Sequence, residues 1–125
     1  MADKTFRLDV VAPDAKLYSG DASIVVAQTT VGQIGIMANH EPMLAELAPG
    51  GAVVLTDADG NRKAMAVQGG FLSVTADTVT VLAESAQFSE EIDAAAERAA
   101  LDAAEPGTEA YARAQSRVRA VEAVS

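Results

Sequence analysis

The stretch TVTVLAESAQFSEEIDAAAERAA, residues 78–100, contains the point at which the chain changes its structural period. Its first part is rich in β-branched residues, which are typical of a β-strand. After residue 88 the sequence becomes alanine-rich, and Ser89 stands where the N-cap of a helix is expected. The acidic residues of the expected first turn are Glu90, Glu91 and Asp93. Negative charge suits that end of a helix dipole, so the stretch predicts a β domain over residues 1–87 and helices over residues 88–125.

Short apolar runs separated by turn residues fill the chain before this point. FRLDVVAP, residues 6–13, alternates apolar and polar side chains as a half-buried strand does. DADGN, residues 57–61, separates two apolar runs, so residues 52–68 are expected to form a hairpin. The pair Gly69–Gly70 indicates a bulge, or a corner where two sheets approach closely. Strands recurring about every 8–12 residues without a helical period between them indicate an antiparallel β-sandwich or barrel.

The last part of the chain predicts a two-helix antiparallel hairpin. Pro106 and Gly107 end the first helix, and Thr108 is the expected N-cap of the second. One face of the second helix is predicted from the spacing of Tyr111, Ala114, Val118 and Val121. Most apolar residues of the first helix are alanines, which offer little area for packing. We therefore expect the hairpin to dock weakly on the β domain and to move relative to it.

The charge pattern excludes several kinds of function. The chain of 125 residues has a net charge of −9, which argues against binding nucleic acid, because phosphate contacts need Lys and Arg. It has no cysteine and one histidine, which excludes disulfides, thiolate zinc sites and a His-rich metal site. No apolar run is long enough to span a membrane, and the N-terminus lacks a signal-peptide pattern. We expect a soluble, cytosolic, acidic protein without a cofactor, able to sit beside a membrane within a larger assembly.

The loop GQIGIMANHEPML, residues 32–44, is the candidate site. As a catalytic centre it would use His40 as a general base, oriented by Glu41 or Asn39. The sequence offers no convincing nucleophile or oxyanion stabiliser to complete such a centre. A structural turn shaped by glycines is the plainer interpretation. A loop that contacts a partner is a third, because it carries more Ile and Met than an exposed turn normally does.

On the residues alone, the chain is interpreted as an interaction protein. Two alternatives from other classes stay open at this point. One is a free-standing β-sandwich module that binds a small ligand or peptide through the 32–44 loop. The other is a small hydrolase centred on His40.

Four stretches, in order, resemble the epsilon subunit of F-type ATP synthases: FRLDVVAPDAKLYSG, GQIGIMANHEPMLAELAPG, AVQGGFLSVTADTVTVLAESA and EEIDAAAERAA. The resemblance implies a ten-stranded β-sandwich followed by two α-helices. It implies a non-catalytic central-stalk subunit that binds the gamma subunit and the c-subunit ring, and that couples proton transport to ATP synthesis. Such a subunit lies at the cytoplasmic face of the bacterial inner membrane, attached only through the complex.

The resemblance also assigns residues of the loop to partners. Gln33 and Ile34 fall in the loop that meets the c ring, where the family often has an acidic residue at the first position. Ile36, His40 and Met43 fall in the block that lies toward gamma. The glutamine at position 33 therefore implies a c-ring contact without a charge.

For the hairpin, the resemblance implies a movable element that restrains ATP hydrolysis. Arg113 and Arg117 would be the residues that contact the beta subunits. Some family members bind ATP through an Ile-Asp-x-x-Arg-Ala motif, and the candidate nucleotide residues here are Ile92, Asp93 and Arg98. Ala96 fills the arginine position of that motif, so we expect neither ATP binding nor strong inhibition.

Overall fold

The computed structural model of the protein describes residues 4–13, 15–75 and 77–124. Within these residues the strands are β1 (Phe6–Ala12), β2 (Ala15–Thr29), β3 (Gly32–Met37), β4 (Met43–Glu46), β5 (Ala52–Asp57), β6 (Arg62–Val74) and β7 (Thr78–Phe88). A short 3-10 turn at Ser89–Glu91 leads to the helices α1 (Ala94–Ala103) and α2 (Glu109–Ala123). The predicted fold class, a β-sandwich followed by two helices, is confirmed.

The strands form one sheet that curls until its ends meet. The order is β1-β7-β6-β5-β2-β3, β4 pairs with β6, and β1 also pairs with β2. Among the described strands all pairs are antiparallel except β1 with β7. These two strands are far apart in the chain, so no tight hairpin fixes their relative direction. The expected antiparallel sandwich therefore contains one parallel pair.

Two long strands explain why the described part of the chain has seven strands, whereas the resemblance implied ten. β2 pairs with β1 up to Ala22 and with β3 from Ile24 onward. β6 pairs with β5 as far as Ala66 and with β4 from Phe71 onward. Each long strand thus pairs with different neighbours along its length but counts as one strand. The number of strands is therefore lower than ten although the fold class is the same.

The core fills the inside of the curled sheet with aliphatic side chains. The alternation predicted for β1 is confirmed, because Phe6, Leu8 and Val10 are buried while Arg7 is exposed. The largest fully buried side chains include Val25, Ile36, Leu55, Met65, Leu72, Val79 and Val81. Burial of this apolar surface is the main term that stabilises the sandwich.

The hairpin predicted over residues 52–68 is confirmed as β5 and the first part of β6. Ala52 lies opposite Ala66, and Thr56 lies opposite Arg62. One carboxylate oxygen of Asp57 accepts hydrogen bonds from the backbone N–H groups of residues 59 and 61, both at 2.9 Å. The turn chemistry read in DADGN is therefore provided largely by this aspartate.

The Gly69–Gly70 pair marks a corner, one of the two interpretations offered for it. Here β6 leaves β5 and begins to pair with β4. Gly70 has φ 111°, and a Cβ atom added to it would lie 1.8 Å from the carbonyl oxygen of Leu82. The register between β6 and β7 advances evenly from Gln68 to Gly70, so a bulge is not present at this point. Only glycine allows the two backbones to approach this closely.

The start of the first helix differs from the prediction. Asp93, not Ser89, is the N-cap of α1, and its Oδ1 accepts a hydrogen bond from the N–H of Ala96 at 3.1 Å. Ile92 is extended, with φ −100° and ψ 132°, because its side chain packs against a small alanine cluster of the sandwich and α2. The predicted cap of the second helix is confirmed, since Thr108 Oγ1 accepts from the N–H of Tyr111 at 3.2 Å.

Helix α2 lies between α1 and the sandwich, with contacts to α1 on one side and to β5 and β6 on the other. Ala114 and Val118 of the predicted face are buried. Ser116 and Ala120, on the other side of α2, are fully buried as well. In contrast, α1 contains no buried residue. The sequence pattern identified the face toward α1 and missed the face toward the sandwich, because that face consists of small and polar residues.

Candidate functional site

The turn between β2 and β3 projects from the sandwich as an exposed tip. Its base is fixed by Thr29, which is buried and donates from Oγ1 to the carbonyl oxygen of Gly32 at 2.7 Å. The hydroxyl oxygen of Thr29 in turn accepts a hydrogen bond from the N–H of Val31 at 3.3 Å. The side chain of Val31 is 91% exposed, and Gln33 beside it is exposed too. A rigid base with an exposed aliphatic tip is suited to contact with another protein.

Strand β3 divides its apolar residues between the two faces of the sheet. Ile34 is half-buried against the core, whereas Met37 is 62% exposed. Ile36 is fully buried. Ile36, which the resemblance places in the block toward gamma, has its side chain turned into the core by the alternation along β3.

The histidine of the loop is not part of an assembled catalytic centre in the described residues. The hydrogen bond of its ring there joins Nδ1 of His40 to the backbone carbonyl oxygen of the adjacent Glu41, at 2.7 Å. Met43, three residues later, is half-buried and packs against the core. Leu44 is 70% exposed. The loop thus offers a locally bonded histidine beside an exposed leucine.

A second apolar surface escaped the sequence analysis, and we call it the outer patch: Val11, Leu44, Phe71 and Leu82. The register places Leu82 opposite both Val11 and Phe71. Leu44 lies on the same face opposite Ser73 and therefore diagonal to Phe71, whose own partner on β4 is Glu46. Phe71 is 47% exposed and Leu82 is 50% exposed. Consecutive apolar residues in a strand are the signal that could have found it, because one of each pair must point outward. Phe71–Leu72 and Val81–Leu82 are such pairs.

The arginines of the hairpin have different surroundings. Arg117 donates to Glu97 of α1 at 3.2 Å, and both side chains are partly buried. Arg113 pairs with Glu109 of its own helix at 3.5 Å and is exposed. Of the two candidate beta contacts, Arg113 is therefore accessible in the docked hairpin, and Arg117 is engaged by α1.

The three candidate nucleotide residues serve the hairpin itself. Ile92 packs against the alanine cluster, and Asp93 caps α1. Arg98 lies 4.0 Å from Glu122 of α2. The described residues contain no group of three or more acidic, His or Cys side chains that could hold a metal ion. None of the described helices is long and apolar enough to cross a membrane.

The comparisons with known proteins agree over nearly the whole chain. The family model described as ATP synthase, Delta/Epsilon chain, beta-sandwich domain matches residues 5–89. The ATP synthase epsilon chain of Rhodococcus opacus (strain B4) is 54% identical over 122 residues, covering 98% of both chains. That of Nocardia farcinica (strain IFM 10152) is 49% identical over 98% of this chain and 94% of the relative.

Solved structures show the same fold at low sequence identity. A chain of the Euglena gracilis mitochondrial ATP synthase, OSCP/F1/c-ring, superposes with a TM-score of 0.71 at 21% identity, covering 98% of this chain and 82% of that one. A chain of the Tetrahymena thermophila mitochondrial ATP synthase central stalk/c-ring gives a TM-score of 0.60 at 19% identity, with full coverage of both. At these identities the likeness concerns the fold.

Proposed function

Since the chain belongs to the family of ATP synthase epsilon chains, we propose that it is a non-catalytic central-stalk subunit of an F-type ATP synthase. In this role it binds gamma and the c ring and couples proton transport to ATP synthesis. The observation that carries the proposal is that the sandwich has two exposed apolar surfaces. These are the β2–β3 tip and the outer patch. Such surfaces are typical of protein contacts.

The tip is proposed to contact the c ring. Gln33 and Ile34 belong to this contact, and Val31 extends it because its side chain is almost fully exposed. The Thr29 hydrogen bonds support the assignment, since they hold the turn in one conformation before any partner arrives. The contact is uncharged on this side, so we expect its strength to depend little on salt.

Gamma is proposed to contact the sandwich through His40 and Met43 together with the outer patch. Met43 lies at the start of β4 and Leu44 directly follows it, on the face of the sheet that Phe71 shares and diagonal to it across the β4–β6 pair. Ile36 contributes only by supporting β3 from within the core. The apolar area of the patch would be removed from water by such a contact.

The hairpin is proposed to regulate ATP hydrolysis through Arg113 and Arg117, which would meet acidic groups of the beta subunits after it leaves the sandwich. In the docked hairpin Arg117 pairs with Glu97 of α1, so contact of its guanidinium with beta would have to replace this pair between the two helices. We assign the hairpin no nucleotide, because Asp93 is used as a helix cap and Ala96 replaces the motif arginine. The assembly as a whole is proposed to lie at the cytoplasmic face of a bacterial inner membrane.

Co-purification from cells that produce the tagged full chain tests the proposal. We expect alpha, beta, gamma and c subunits to be recovered with it. Phe71→Asp should reduce recovery of gamma, because a charge in the outer patch would have to be desolvated. Asp59→Ala, in the exposed β5–β6 turn, is the matched control and should change nothing. A chain that stays monomeric and never joins such a complex would instead favour the free-standing binding module.

A further inference from the structure

A buried hydroxyl lies at the centre of the contact between α2 and the sandwich. Ser116 is fully buried, and its Oγ donates to the carbonyl oxygen of Gly51 at 2.5 Å, with the carbonyl oxygen of Val67 at 3.3 Å. Ala52 and Ala66 form the last pair of the β5–β6 ladder, and Gly51 and Val67 directly adjoin that pair. The helix therefore supplies a donor to two carbonyl groups at the end of a strand pair.

The turn before β5 is shaped to receive the helix. Gly50 has φ 75°, and a Cβ atom added to it would lie 2.2 Å from the side-chain oxygen of Gln115. Arg119, one turn after Gln115, donates from Nη1 to the carbonyl oxygen of Gly50 at 2.9 Å. We call Ser116 and Arg119, with the carbonyl groups of Gly50, Gly51 and Val67, the clasp.

The clasp is separate from the contact that holds the two helices together. Glu97 of α1 pairs with Arg117, which lies between the two clasp residues in sequence but points to the other side of α2. Helix α1 has no buried residue of its own. Attachment of the helical pair to the sandwich therefore passes mainly through α2.

We propose that Ser116 is the positioning residue that sets the docking equilibrium of the hairpin, acting through the clasp. This inference rests on the movable hairpin of the proposed function and adds the residue that controls its release. In the undocked state the hydroxyl and both carbonyl groups are free to bind water. In the docked state they are buried, so loss of the hydroxyl leaves the carbonyl groups unsatisfied there and nowhere else. Undocking also frees Arg119, which adds a third cation to Arg113 and Arg117 for an acidic partner surface.

Hydrogen exchange of the full chain tests the proposal with Ser116→Ala. We expect amides of α2 to exchange about tenfold faster than in the wild-type chain, with the strands unchanged, because the undocked helix is too short to be stable alone. The direction of the change in exchange rate is informative. Alanine has a higher helix propensity than serine, so the substitution would slow exchange of α2 if Ser116 merely occupied a helical position. Ser73→Ala is the matched control, because Ser73 lies in β6 and its hydroxyl, unlike that of Ser116, makes no hydrogen bond to another described residue.

Equal or slower exchange of α2 in Ser116→Ala overturns the proposal. Faster exchange in β6 as well as α2 also contradicts it, because the change would then act on the sandwich rather than on docking. Arg119→Gln removes the second donor, and we expect a smaller acceleration confined to α2 and α1. These outcomes are independent of co-purification: a clasp confirmed in a chain that joins no complex would refute the stalk role and leave the clasp standing.

Discussion

The sandwich and the helical hairpin are stabilised in different ways. In the sandwich, β6 pairs with β4, β5 and β7, and the strands enclose a core of fully buried aliphatic residues. In the hairpin as far as residue 124, buried residues occur in α2 alone, and three of the four are Ala or Ser. The chain therefore combines a sandwich held together by mutual strand pairing and a core with a helical pair that is attached through one narrow contact. Substitutions in the sandwich core should therefore destabilise the whole fold. Substitutions in the contact between α2 and the sandwich should only release the helical pair.

The largest expected effect comes from Ile36, the core residue that the family resemblance places in the block toward gamma. Ile36→Ala should lower the free energy of unfolding by about 2–5 kcal/mol, because it leaves a cavity in the core. Its exposed neighbour is the control, and Met37→Ala should change stability by no more than about 0.5 kcal/mol. Urea unfolding of both variants measures this. Equal stability of the two would contradict the alternation of β3.

The corner of β6 should be nearly as sensitive. Gly70→Ala is expected to cost about 3 kcal/mol, because a left-handed backbone is strained for alanine and its Cβ would meet a backbone oxygen. Gly60→Ala separates the two causes, since Gly60 also has positive φ but nothing lies within 4 Å of the added atom. It should cost only about 1 kcal/mol. If the two variants lose the same stability in denaturant unfolding, the close approach at the corner is not the cause.

The cap of α1 should have a smaller and more local effect. Asp93→Ala is expected to destabilise α1 by about 1 kcal/mol, because the N–H of Ala96 loses its acceptor. Amide exchange in α1 should accelerate while exchange in the strands stays unchanged. Ser89→Ala should leave α1 unaffected, since Ser89 begins the 3-10 turn and that turn ends before the helix starts. If Ser89→Ala accelerated amide exchange in α1 more than Asp93→Ala does, the cap position predicted from the sequence would be the correct one.

The smallest effect is a pH dependence of the β5–β6 turn. Hydrogen bonds donated by the backbone, from Asn61 ahead of Asp59, hold the pKa of Asp57 below its ordinary value. A lowered folded-state pKa adds stability above the unfolded value, about 3.9, which is lost as pH falls through the folded-state pKa. Asp57→Asn should therefore flatten the loss of stability of the sandwich as the pH falls below about 4. Thermal unfolding at a series of pH values in this range measures the change. If stability falls with pH as steeply in Asp57→Asn as in the wild-type chain, Asp57 does not contribute to the pH dependence.

Much of the fold was open to prediction because it depends on local pattern. Phe6, Leu8 and Val10 alternate, the aspartate of DADGN makes its turn, and Thr108 caps α2. Each depends on residues close together in sequence. The cap at Ser89 was predicted wrongly because packing of Ile92 against distant alanines keeps the chain extended at that point.

The candidate site was less accessible to prediction. Gln33 is exposed on the tip, but Val31, the most exposed large apolar residue in the described part, was missed beside it. The outer patch joins residues of four strands, so its extent depends on a register that no local pattern contains. The burial of Ile36 could not be predicted, because the face that a strand residue occupies is set by pairing and not by its type.

The sequence by itself determined that β-structure precedes two helices, because the spacing of apolar residues changes from the period of a strand to that of a helix. It also carried the motifs that identify the family. Only the tertiary structure decided that β1 runs parallel to β7, that Ile36 is core, and that Ser116 meets Gly51 and Val67. These contacts join residues far apart in the chain, and their free energy depends on which surfaces meet once the strands have closed around the core.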